Sequence, residues 1–236
     1  MNNPSTVPDL RALLDGLPAA FSTAARPTGI DACPCCTSPA ELDALLRTPR
    51  EQLGPDELGH YAASALNTVG SPADLRYFTP RILQLVLTSE LTWPDLELVG
   101  IKLAQASWQD WPEAPYLRRL LDALWSDVLH NAEEWWDAEA VLCALAAADP
   151  DGTGDRLAEW ARFATPVAVE RLYEFALGGR LEPRDPFWDE QGAPCRAFAQ
   201  WLRGADLQLA VEAAVLRIDD PTQLDQLFTV HGILAT

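Results

Sequence analysis

Ser38-Pro39-Ala40-Glu41-Leu42 and Ser71-Pro72-Ala73-Asp74-Leu75 are one five-residue device used twice, 33 residues apart (38 to 71). In each, a serine precedes a proline and an acid follows the serine by three positions. A serine hydroxyl accepts from first-turn amides, proline suits the first helical position, and the acid reaches back to the cap amide while meeting the positive end of the helix dipole. Both segments read as helix starts. Thr165-Pro166, Asp185-Pro186 and Asp220-Pro221 repeat the arrangement, and Gly54-Pro55-Asp56-Glu57 is a weaker copy.

Between these starts the apolar spacing has helical period. Leu42, Leu45 and Leu46 make one stripe, Leu117, Leu120, Leu121, Leu124 and Trp125 another, and Val169, Leu172, Tyr173 and Ala176 a third. Nowhere do four or more β-branched and aromatic residues alternate with polar ones between turn signals, so no sheet is expected. The reading is an all-α chain of roughly a dozen helices, near 6–22, 38–48, 55–69, 71–88, 95–107, 112–130, 136–148, 154–163, 166–178, 186–203, 206–216 and 221–233. The 33-residue spacing suits a stacked helical hairpin, so the expected architecture is an irregular α-solenoid forming a single domain over 1–236, with a cysteine-containing loop at 32–37.

Two resemblances bear on this. Thr79-Pro80-Arg81-Ile82-Leu83-Gln84-Leu85-Val86, followed by Asp95, Val99 and Lys102, is similar to one HEAT repeat, which implies stacked helical pairs. From Cys33 to about Leu87, the order Cys-x-x-Cys, Ser38-Pro39, Leu45-Leu46, Thr48-Pro49, Tyr61-Ala62, Thr68-Val69-Gly70, Asp74, Arg76, Phe78 and Pro80 resembles an uncharacterised bacterial protein family with an N-terminal CxxC-x-SP segment. That second resemblance covers about a quarter of the chain and implies no activity.

Charge narrows the classes of partner. Seventeen Lys+Arg against 35 Asp+Glu leaves −18, a surface that repels phosphate backbones and anionic lipid headgroups, so nucleic acid and membrane are not expected. No apolar run is long enough to span a bilayer and the N-terminus has no charged region leading an apolar stretch, so a cytoplasmic location is expected. From Leu120 to Asp155 there are nine acids and no Lys or Arg. Within it, Trp135 beside Glu133, Glu134, Asp137 and Asp127 reads as a patch for a basic protein partner, with the tryptophan anchoring Arg or Lys through cation–π and ion-pair contacts. The alternative is that Trp135 and Trp136 pack between helices while the acids form a solvated face. Trp136 shares a helical face with Ala140, Cys143, Ala144 and Ala147 and is expected in the core; Trp135 points about 100° away.

Cys33-Pro34-Cys35-Cys36 is the one local cluster with chemical character. Cys33 and Cys36 have the spacing of half a zinc site or of a dithiol pair, and Cys35 lies between them. A complete zinc site needs four ligands, and the remaining supply is Cys143, Cys195, His60, His130 and His231, none forming a second knuckle. The cluster runs into the Ser38-capped helix, whose dipole is expected to favour a thiolate at Cys36. An ordinary loop is the third reading. Five cysteines, three of them crowded together, do not form the framework of a secreted disulfide domain.

Other motifs fail on spacing. Asp149-Pro150-Asp151-Gly152-Thr153-Gly154-Asp155 starts like a calcium loop, but Trp160 stands where a bidentate Glu is required, so a polar turn is expected. His130 with Glu133 and Glu134 lacks the second histidine of a zinc-protease helix, and no phosphate loop or nucleophile elbow occurs. The sequence therefore points to a non-enzymatic binding or scaffold protein, an immunity or regulatory factor among the options, without a cofactor. The alternative is a zinc-binding or thiol-redox protein using Cys33, Cys35 and Cys36.

Overall fold

The computed structural model describes residues 9–132, 136–178 and 181–235. Among them the chain forms twelve α-helices and no strand; the only β-type pairing is the isolated bridges Ala32–Val69 and Ala65–Val69. In order the helices are α1 Leu10–Ala20, α2 Pro39–Arg47, α3 Pro55–Ser64, α4 Pro72–Leu87, α5 Leu96–Gln105, α6 Ala114–His130, α7 Ala138–Ala148, α8 Thr153–Trp160, α9 Pro166–Leu177, α10 Ala193–Arg203, α11 Ala205–Val215 and α12 Pro221–Leu234. Short 3-10 turns link several of them.

The cap chemistry is as the sequence implies. Ser38 and Ser71 each complete a reciprocal box, Ser38 with Glu41 and Ser71 with Asp74, and Thr165 and Asp220 accept from the amides of Ala168 and Gln223. Several expected boundaries differ, three of them for a readable local reason. The helix expected over 55–69 stops at Ser64, because Leu66 turns left-handed at φ 67° and its amide bonds back to Val69 O at 2.9 Å. The span 186–203 is broken: Pro186–Glu190 is a 3-10 turn, Gly192 takes φ 59°, and Pro194 in the first turn of α10 begins a new helix. The helix expected from Trp136 starts at Ala138.

The chain divides into two compact units, residues 1–123 and 124–236, and the division falls inside α6. In the first, α1 lies against α4, and α3 against α2, α4 and α5. Leu17, Phe21, Leu53, Leu58, Phe78 and Trp108 are sealed within it. In the second, α9 packs on α12, α11 on α12, and α8 on α10. Its centre is aromatic: Trp160 meets Trp125 edge-on at 5.6 Å and stacks on Trp201 at 5.5 Å, while Trp188 lies 5.3 Å from Phe198. Such pairs add about 0.5–1.5 kcal/mol each beyond area burial. The indole N–H groups of Trp125 and Trp160 donate to Arg156 O and Ala168 O, which removes the cost of burying them.

Candidate functional site

The Cys33–Cys36 loop enters α2 and is tied from behind to the turn that ends α3. Cys33 N–H donates to Thr68 O and Gly70 N–H to Asp31 O, both at 2.8 Å, with the Ala32–Val69 bridge between them. Gly70 is required here: its φ is 72°, and a Cβ would lie 3.0 Å from the buried Tyr61 hydroxyl. The loop then closes on itself, since the amides of Cys36 and Thr37 both donate to Cys33 O, at 3.0 and 3.1 Å. Ser38 follows at once as the cap of α2. Both ends of the tetrapeptide are thus anchored.

This folding brings three sulfurs together. Cys33 Sγ is 2.8 Å from Cys35 Sγ, Cys35 Sγ is 3.6 Å from Cys36 Sγ, and all three lie within 4.8 Å of one another. Cys33 is half-buried, whereas Cys35 and Cys36 are exposed. Cys33 is held below the ordinary thiol range, first by the hydrogen bond from the Cys35 thiol, then by the Cys35 backbone N–H, with the Cys36 thiol and N–H adding to it. Cys35, the donor in that pair, is pushed up to about 11, by Cys33 first and then by Cys36. The thiol that the folded loop lowers is Cys33, hydrogen-bonded first by the Cys35 thiol, a signal that spacing does not carry.

The other candidate ligands lie elsewhere. No histidine, carboxylate or further cysteine among the described residues joins the three sulfurs. His60 on α3 pairs with Glu41 at 3.0 Å, His231 on α12 with Glu212 at 3.2 Å, and His130 Nδ1 lies 2.7 Å from Ser126 O. Cys143 is buried in α7, and burial pushes the Cys195 thiol up. Asp149 of the calcium-like loop is salt-bridged to Arg156 at 2.9 Å, and Pro150–Gly152 is a 3-10 turn, as expected of a polar connection.

The acidic stretch is partly spent on structure. Asp137 caps α7, accepting from Glu139 N at 2.8 Å and Ala140 N at 3.1 Å. Glu139 is buried, receives the backbone amides of Arg184 and Asp185, and pairs with the Arg184 guanidinium. Asp127 is half-buried and accepts from Asn131. Trp136 is buried, immediately ahead of the cap of α7. Glu133, Glu134 and Trp135, the centre of the expected partner patch, lie outside the described residues. No helix among the described residues is long and apolar enough to cross a membrane.

Comparison of the chain with protein families, curated proteins and solved structures returns no match.

Proposed function

We propose that the protein is a helical scaffold, built of HEAT-like stacked pairs, that presents a soft-metal thiolate site with zinc as its ion. The observation that carries this reading is the convergence of Cys33, Cys35 and Cys36 to within 4.8 Å on a loop anchored at both ends. A tetrahedral zinc with Zn–S bonds of about 2.3 Å holds its sulfurs about 3.8 Å apart, so the loop needs adjustments of only about 1 Å. Hydrogen bonds to Cys33, from the Cys35 thiol first and then from the backbone, favour the deprotonated form that a metal requires. The succession α3–α4–α5, each packed on the next, supports the stacked-pair element of the reading.

Elemental analysis of the purified protein, followed by zinc titration of the metal-free, reduced chain, tests it. One equivalent bound by the wild type and lost in a Cys33→Ser, Cys35→Ser double variant is the expected result. Wild-type protein that takes up no zinc, copper or iron refutes it.

One observation favours a second reading. Cys33 and Cys35 sulfurs 2.8 Å apart, one thiol lowered and the other raised, form an activated nucleophile beside a proton donor, which is the starting point of dithiol chemistry. Reversible loss of two titratable thiols on equilibration with glutathione disulfide, restored by reduced glutathione, is its test.

A further inference from the structure

Resting on the metal reading above, we infer that the site is an open one, with three sulfurs from the protein and a fourth position filled from solution by a small thiol. Three features of the loop carry this. First, the donor set stops at three: no histidine, carboxylate or other cysteine among the described residues lies with Cys33, Cys35 and Cys36. Second, the three donors come from four consecutive residues, so they reach the ion from one side only. The chain leaves immediately into α2, whose first turn is closed by its own Ser38–Glu41 box, and Glu41 is held by Ser38 and His60. Third, two of the three sulfurs, Cys35 and Cys36, are exposed, so the face opposite the backbone is toward solvent.

Structural zinc sites are closed by four protein ligands, whereas sites that react or exchange keep one position for water or an incoming group. Loading such a site proceeds as Zn2+ displacing one proton from each thiol, giving a tris-thiolate zinc with net charge −1 and a water in the fourth position. Thiolate is the donor best matched to an ion already held by three sulfurs. An incoming thiol gives its proton to solvent, forms the fourth Zn–S bond and releases the water. The ion is therefore one that can be handed to or taken from a thiol-bearing carrier.

The experiment uses the full chain, reduced and metal-free, titrated anaerobically with Co2+ as a spectroscopic stand-in for zinc and then with Zn2+ against a chromophoric chelator. Tetrahedral cobalt bands with sulfur-to-cobalt charge transfer are expected. Millimolar 2-mercaptoethanol should then raise the charge-transfer intensity and move the visible bands as the fourth sulfur enters. Removal of a hydrogen-bonding neighbour of a ligand typically costs about 10–100-fold in metal affinity. Loss of a ligand should cost at least about tenfold in each of Cys33→Ser, Cys35→Ser and Cys36→Ser. Cys195→Ser and His60→Gln should leave affinity unchanged.

Cobalt bands that ignore the added thiol, or a tenfold loss of affinity in Cys195→Ser or His60→Gln, would show a site closed by the protein. That outcome overturns this inference and leaves the metal reading standing. No uptake of Co2+ or Zn2+ overturns both.

Discussion

Arg76→Ala should destabilise the first unit through a charge that it leaves behind. Glu113 is 4% exposed, and its carboxylate accepts from Arg76 Nε at 2.8 Å and from Arg76 Nη2 at 2.7 Å. Thr23 Oγ1, 3.2 Å away, is its only other side-chain donor among the described hydrogen bonds. Burial alone pushes the Glu113 carboxyl up, and the hydrogen bonds and charge of Arg76, with help from its own backbone and Thr23, outweigh it and hold the group below the ordinary 4.5. Removing one partner of a buried pair typically costs about 3–5 kcal/mol. Water reaches the Arg76 side chain, which is 24% exposed, so the low end, about 3 kcal/mol, applies. For a chain of this size that is a fall in Tm of about 6–12 °C.

The pH dependence separates this mechanism from simple loss of packing. In the wild type, a depressed Glu113 contributes stability that is present above pH 4.5 and lost as pH falls below it. In Arg76→Ala burial, the largest influence on the carboxyl, is opposed only by its own backbone N–H and Thr23, so its folded value rises and the penalty for keeping it charged grows as pH rises. The difference between the two proteins should therefore be largest near pH 7 and shrink toward pH 4. Urea unfolding followed by circular dichroism at pH 4, 5.5 and 7 measures it. Adding Glu113→Leu to Arg76→Met should cost less than Arg76→Ala alone, since no buried charge is stranded. Equal destabilisation at pH 4 and pH 7 would refute the reasoning.

Trp136→Ala should cost about 3–5 kcal/mol by opening a cavity in front of α7, read as a lower urea midpoint; a change under about 1 kcal/mol would show that the buried indole is not packed. Lys102, the only lysine, is 2% exposed, and its amine should resist acylating reagents in the folded protein. If exposing it requires an opening of about 3 kcal/mol, mass spectrometry should find it modified about a hundredfold more slowly than in urea. Glu41 is held to about 2 by the Ser38 hydroxyl first, then by the Ser38 amide and His60, so its contribution is present above 4.5 and lost as pH falls toward 2. Glu41→Gln should then be less stable than wild type at pH 5 and converge with it on further acidification, as followed by thermal unfolding.

The sequence by itself determined the helices, because the interactions that start them are local. Ser38 with Glu41 and Ser71 with Asp74 are three residues apart, so each box can be read without knowing the fold. The apolar stripes behind them then require burial, which fixes an all-helical chain but not which helix covers which stripe. Helix ends were less legible. Ser64 and Gly192 are breaks set by left-handed residues, and the Leu66 turn is held by a pairing with the cysteine loop about 35 residues earlier.

For the site, the sequence supplied three cysteines at the right spacing and the capped helix after them. Tertiary structure decided the rest. Thr68 O and Asp31 O hold the loop against the end of α3, and the lowering of the Cys33 thiol depends first on the Cys35 thiol that the turn brings beside it. The acids between Leu120 and Asp155 look uniform in the sequence, yet Asp137 caps a helix and Glu139 is buried against Arg184, 45 residues away. Arg76 and Glu113 are 37 residues apart and ordinary in composition. Charge is a property of the residue, whereas its cost or benefit depends on how far water is excluded and which partner folding brings beside it.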